Sequence, residues 1–170
     1  MKNCIRLASV LLLCTVAAAV PAAAQQCGNS TTVTLFAGQT IDAGMVTISN
    51  DASSITITYS TNDPWVITAV HLAVANSLAG IPQNRNSNPL PGHFPINTTY
   101  NPPVTTVTFV IPLGTFSPGD TVYIGAQAEV QAPGGQSGAQ TAWGFGPRFG
   151  GRNWATYIDS FMVQSCGLNE

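Results

Sequence analysis

The chain has 170 residues, 45% hydrophobic and only 7% charged, with five basic and seven acidic side chains. So few cations exclude the basic stripe that nucleic acid requires, and disfavour an anionic lipid surface for the same reason. No charged block, heptad or long helical period is present, which leaves a globular chain rich in neutral polar residues.

Residues 1–24 read as an export signal. Lys2 and Arg6 supply a positive start, Leu7 to Val20 an apolar run, and Ala22-Ala23-Ala24 a small-residue cleavage site with Gln25 as the new N-terminus. The run is short and small-residued for a retained membrane span. A lipoprotein reading through Cys14 would place Leu13 where such signals want a small residue. Cleavage leaves Arg85, Arg148 and Arg152 against seven acids, a formal charge of −4, and no lysine. Residues 25–170 then form one predicted domain, secreted or periplasmic, without membrane insertion.

Cys4 and Cys14 leave with the signal, so Cys27 and Cys166 are the expected disulfide. Free thiols are the alternative. A metal centre would need His71 and His93, and no ligand spacing is present.

In chain order, Thr31 to Ala37 is the first predicted strand, Gly38 to Gly44 a turn, and Met45 to Ser49 a second strand. Ser54 to Ser60 alternates cleanly, with Ile55, Ile57 and Tyr59 on one face and Thr56, Thr58 and Ser60 on a wet one. Trp65 to Ala75 is apolar on both faces. The pattern puts Val66, Val70, Leu72 and Val74 on one side and Trp65, Ile67, Ala69, His71 and Ala73 on the other, as in a central strand covered twice. Gly80 to Pro103 reads as a long irregular loop whose Pro91-Gly92-His93-Phe94-Pro95 piece is pinned to the body. Val104 to Leu113 resumes alternation, and Ser117-Pro118-Gly119-Asp120 is a turn. Thr121 to Gln131 should bury Val122, Ile124, Ala126, Ala128 and Val130. Pro133 to Gly138 is a glycine-rich connection, and Trp154 to Val163 the last predicted strand. About seven or eight strands in this order predict an all-β fold, a two-sheet antiparallel sandwich, immunoglobulin-like or jelly-roll-like.

The stretch from Thr141 to Cys166 concentrates two tryptophans, two arginines and several glycines. Its pieces Thr141-Ala142-Trp143 and Phe149-Gly150-Gly151-Arg152-Asn153-Trp154-Ala155-Thr156-Tyr157 join the strand His71-Leu72-Ala73-Val74 and the turn Pro89 to Pro95. With these the chain resembles a recurring β-sandwich module of secreted and cell-surface proteins, over roughly Val46 to Tyr157. The resemblance implies an extracellular sandwich and carries over no catalytic or binding residue.

Candidate sites are weighed on chemistry. Trp143, Phe145, Phe149, Trp154 and Tyr157 could stack on sugar rings, with Arg148, Arg152 and Asn153 as hydrogen-bond donors. The alternative is that the rings close the sandwich while the arginines bridge turns to strands. His71 could act in a hydrolase, but no G-x-S-x-G nucleophile elbow is present and a packed, hydrogen-bonded histidine is the plainer reading. Glu129 and Asp159 could form a glycosidase carboxylate pair. Asp42, Asp51, Asp63 and Asp120 fall at turns, where they cap their own backbone or could gather around a structural calcium, although no D-x-D-x-D loop appears. The expectation is a non-catalytic extracellular domain without cofactor, binding polysaccharide or a cell-surface protein through 141–157. A secreted hydrolase and a self-assembling subunit joined by edge strands are the rivals.

Overall fold

The structure is a computed structural model and describes residues 25–132 and 138–167. The predicted signal at 1–24 and the glycine-rich connection at 133–137 lie outside the described residues. Nine antiparallel strands follow in order: β1 (Cys27–Ala37), β2 (Ile41–Asn50), β3 (Ser54–Thr61), β4 (Val66–Ala75), β5 (Ile96–Val104), β6 (Thr106–Pro112), β7 (Thr121–Gln131), β8 (Ala139–Gly144) and β9 (Ile158–Met162). Among the described residues the helical content consists of two three-residue 3₁₀ turns, Leu78–Gly80 and Pro91–His93.

Hydrogen bonding runs continuously through β5-β4-β7-β8-β1-β2-β3-β6, with β9 added alongside β7. The sheet folds over on itself, so that inward residues from both halves meet in one core. Leu35, Val46, Ile48, Ile55, Ile57, Tyr59, Val70, Leu72, Ile124, Ile158 and Phe161 are among the side chains sealed there. The two outermost strands, β5 and β6, are consecutive in the chain and separated only by Thr105. That carbonyl accepts from the Thr61 amide at 2.9 Å and from its hydroxyl at 3.2 Å. The crossing at Thr105 nearly closes the sandwich and limits its open edges.

Cys27 and Cys166 are bonded, with Cα atoms 4.7 Å apart across 139 residues of sequence. Closing so long a loop is worth about 5 kcal/mol in the chain-entropy picture.

The pattern of β4 needs correction. Trp65 and Ile67 share the main core with Val70 and Leu72 rather than facing away. A bulge between Ile67 and Ala69, present in the pairing with both β5 and β7, shifts the alternation by one residue. Beyond the bulge the prediction holds, with Ala73 on the second face. Two strands were also hidden in segments read as loops. β5 lies inside the proline-rich stretch, and β8 opens the aromatic segment. The last strand is shorter than expected and begins at Ile158.

The two outer faces differ sharply. On the β1-β2-β3-β6 side, Thr32, Thr47, Thr58 and Thr108 stand in one cross-strand row. Their hydroxyls meet at 3.1 Å for Thr32 with Thr47 and 2.9 Å for Thr58 with Thr108. This is the wet, hydroxyl-bearing face. On the β4-β7-β8 side a second layer of loops covers the sheet, and the candidate site is built there.

Candidate functional site

Ala73 of β4 and Trp143 of β8 meet the loop residues Ile81, Phe94, Phe149 and Ala155 in a second small core, with Tyr123 of β7 packed against it. Two loops lie over it. Residues 78–95 are tied down by Gln83 Nε2 donating to the Leu78 carbonyl at 2.8 Å and by the Leu90 amide donating to the Pro82 carbonyl at 2.9 Å. Phe94 enters this core, so the Pro91 to Pro95 piece is pinned as expected. Gly125 beneath it is small for a reason: a β-carbon there would meet the Phe94 ring at 2.9 Å.

Residues 145–157 form the second loop, a hairpin in miniature. The Phe149 amide donates to the Ala155 carbonyl at 3.1 Å, the Tyr157 amide to the Pro147 carbonyl at 3.0 Å, and the Thr156 hydroxyl to the Gly144 carbonyl at 2.8 Å. Its tip docks on the first loop, where Asn88 Oδ1 accepts from the Asn153 amide at 3.1 Å.

This hairpin has two sides. Phe149 points down, 6.0 Å from the Trp143 ring and 5.3 Å from Tyr157, while Trp143 meets Phe94 at 6.3 Å in edge-to-face contact. Trp143 is 4% and Phe149 2% exposed. Tyr157 is half-buried beside Tyr123, and withdrawal from solvent together with Asp159 and Tyr123 raises its phenol above the ordinary range.

The other side opens to solvent. Phe36, Gln39, Thr40, Trp143, Phe145, Gly146, Arg148, Trp154 and Thr156 line a recess of about 390 Å³. Phe145 stands on its rim, 59% exposed and 5.8 Å from Phe36 in a T-shaped pair. The β1–β2 turn supplies the far wall. Gly38 and Gln39 both have positive φ, 53° and 84°, the geometry of a tight hairpin turn whose twist suits the flanking strands. The turn is held against β8 by the Gly38 amide donating to the Thr141 carbonyl at 3.1 Å.

The eight aromatic and polar residues singled out from sequence therefore separate, with Phe145 on the rim of the recess. Trp143, Arg148 and Trp154 line the recess, Phe149 and Tyr157 pack beneath the hairpin, and Arg152 and Asn153 sit exposed at its tip. Among the described residues neither Arg148 nor Arg152 holds an ion pair or hydrogen bond through its side chain, so the expected bridging of turns to strands is not formed. Phe36, Gln39 and Thr40 were missed, because they lie about a hundred residues earlier and reach the site only through the pairing of β1 with β8.

The rival catalytic groups do not converge. Asp159 on β9 lies beside residues 122–124 of β7, whereas Glu129 is farther along that strand. Six residues of strand separate them by roughly 20 Å, beyond the ~5–9.5 Å of a glycosidase pair. Glu129 instead accepts from Gln127 Nε2 at 2.7 Å and Thr141 Oγ1 at 3.3 Å. His71 bonds through Nδ1 to Asn97 Oδ1 and pairs across strands with Asn97 and Gln127. Three of the four turn aspartates cap their own chain: Asp42 accepts from the Gly44 amide, Asp51 from the Ser53 and Ser54 amides, and Asp120 from the Ser117 amide. Among the described residues no group of three or more His, Cys, Asp or Glu could hold a metal ion, and no helix is long and apolar enough to cross a membrane.

No family model matches the sequence, and no curated protein matches it either. One similar solved structure is a protein from Bacteroides uniformis assigned provisionally to carbohydrate binding. It shares 10% identity at a TM-score of 0.34, over 76% of this chain and 55% of its own length. The chain thus spans about half of that protein, and at this distance the likeness carries no argument about ligand.

Proposed function

We propose that the chain is a secreted, non-catalytic domain that binds carbohydrate in the recess between the β1–β2 turn and the 145–157 hairpin. The observation that carries this reading is Phe145, a large ring left 59% exposed on a recess already lined by Phe36 and Trp154. An aromatic ring held in water costs hydrophobic free energy, and a pyranose offers a C–H face of matching size to cover it. Gln39, Thr40 and Arg148 surround the rings with amide, hydroxyl and guanidinium groups that suit sugar hydroxyls. The disulfide and the export signal expected at 1–24 support an oxidising, extracellular setting.

Retention on a panel of immobilised polysaccharides tests this. Wild-type chain should be retarded, Phe145→Ala should lose retardation, and Thr58→Ala on the opposite face should keep it. Absence of retention on every polysaccharide overturns the reading.

A further inference from the structure

We infer that the recess selects an anionic sugar, one bearing a uronate carboxylate or a sulfate ester, with Arg148 holding the acidic group. The inference rests on the carbohydrate reading above and names the class of sugar.

Arg148 is the one charged residue among those lining the recess, and no carboxylate lines it. Its side chain is exposed and, among the described residues, has no internal partner. Arg152 also lacks an internal partner among the described residues but sits at the hairpin tip, whereas Arg148 lines the recess. The backbone of Arg148 is not free to drift: it bridges to Thr156 within the hairpin, and both flanking positions are fixed by the bonds of Pro147 and Phe149. The recess thus presents a cation on a fixed mount beside stacking rings.

The donor and acceptor balance points the same way. Neutral sugars present hydroxyl hydrogens that need acceptors, and ionised carboxylates are the strongest acceptors a protein has. None lines this recess. Acceptors there are confined to Gln39, the hydroxyls of Thr40 and Thr156, and backbone. A guanidinium offers only donors, arranged in a fork that matches a carboxylate or an oxyanion. The net negative charge of the chain also opposes indiscriminate binding of polyanions, so any such binding must come from a local site.

Affinity electrophoresis of the intact chain through polygalacturonate, alginate, hyaluronan, dextran sulfate, carboxyl-reduced polygalacturonate and uncharged dextran tests this. The account expects retardation by a carboxylated or sulfated polymer, and which of the two retards more identifies the acidic group. It also expects about 10- to 100-fold weaker binding by Arg148→Gln, the scale of one lost charged hydrogen bond. Unchanged circular dichroism would show that Arg148→Gln is folded. Retardation by uncharged dextran or carboxyl-reduced polygalacturonate as strong as by every carboxylated and sulfated polymer, or binding unaffected by Arg148→Gln, overturns the anionic assignment and leaves the sugar recess standing if Phe145→Ala still abolishes it. Absence of retardation by every polymer overturns both.

Discussion

The carbonyl oxygen of Tyr157 lies 2.0 Å from where a β-carbon on Gly146 would stand. The backbone on which β9 begins thus runs directly against the start of the hairpin, and only a residue without a side chain permits that approach. Gly146→Ala should therefore push the two segments apart and lower stability by about 1–3 kcal/mol, the range for overpacking. Gly92→Ala is the control, since nothing lies within 4 Å of its added methyl. Thermal melts of the two variants check this, and equal melting temperatures would contradict it.

The two sides of the hairpin should behave differently under truncation. Phe149 is sealed among Trp143, Tyr157 and Ala155, so Phe149→Ala should cost about 3–5 kcal/mol, the range for a buried aromatic. Phe145 is exposed, and Phe145→Ala should stay within about 0.5 kcal/mol of wild type. Denaturant unfolding of both variants measures the contrast.

Much of this architecture was legible in the residues because alternation is a local signal. Ile55, Ile57 and Tyr59 against Thr56, Thr58 and Ser60 wrote β3 plainly, and Val122 to Val130 wrote β7. The double apolar face of β4 correctly implied a second covering layer. Three things escaped for physical reasons. A bulge at Ile67/Ala69 breaks the period without changing composition. β5, at Ile96–Val104, holds adjacent prolines at 102 and 103, residues that ordinarily argue against a strand and are tolerated on an edge. The recess draws Phe36 and Gln39 from one end of the chain and Phe145 and Trp154 from the other, and no sequence window joins them.

Tyr59 tests the core. Its hydroxyl is fully buried and has no hydrogen-bond partner among the described residues, and burial, with a smaller contribution from Tyr100, pushes its phenol well above the ordinary range. An unsatisfied buried hydroxyl costs about 1–3 kcal/mol. Tyr59→Phe keeps the ring, which sits 6.2 Å from Phe109 in edge-to-face contact. The substitution should raise stability by about 1 kcal/mol. A drop in denaturation midpoint would show that the hydroxyl is satisfied after all.

Asp51 sets an acid dependence. The Ser53 amide and hydroxyl, and then those of Ser54, donate to its carboxylate and hold it at about 2, below the ordinary 3.8. Because the folded value is depressed, the stabilisation is fully present above 3.8 and is lost as pH falls toward 2. Asp51→Asn should lower stability at neutral pH and flatten the decline across that window. Parallel melting curves for the two proteins from neutral to acid pH would count against this role.

The division of the 145–157 hairpin into a packing side and a ligand side is tested most directly by the polysaccharide retention of Phe145→Ala. The account predicts a folded protein whose retardation by polysaccharide is gone. A Phe145→Ala variant retarded as strongly as the wild type would contradict it.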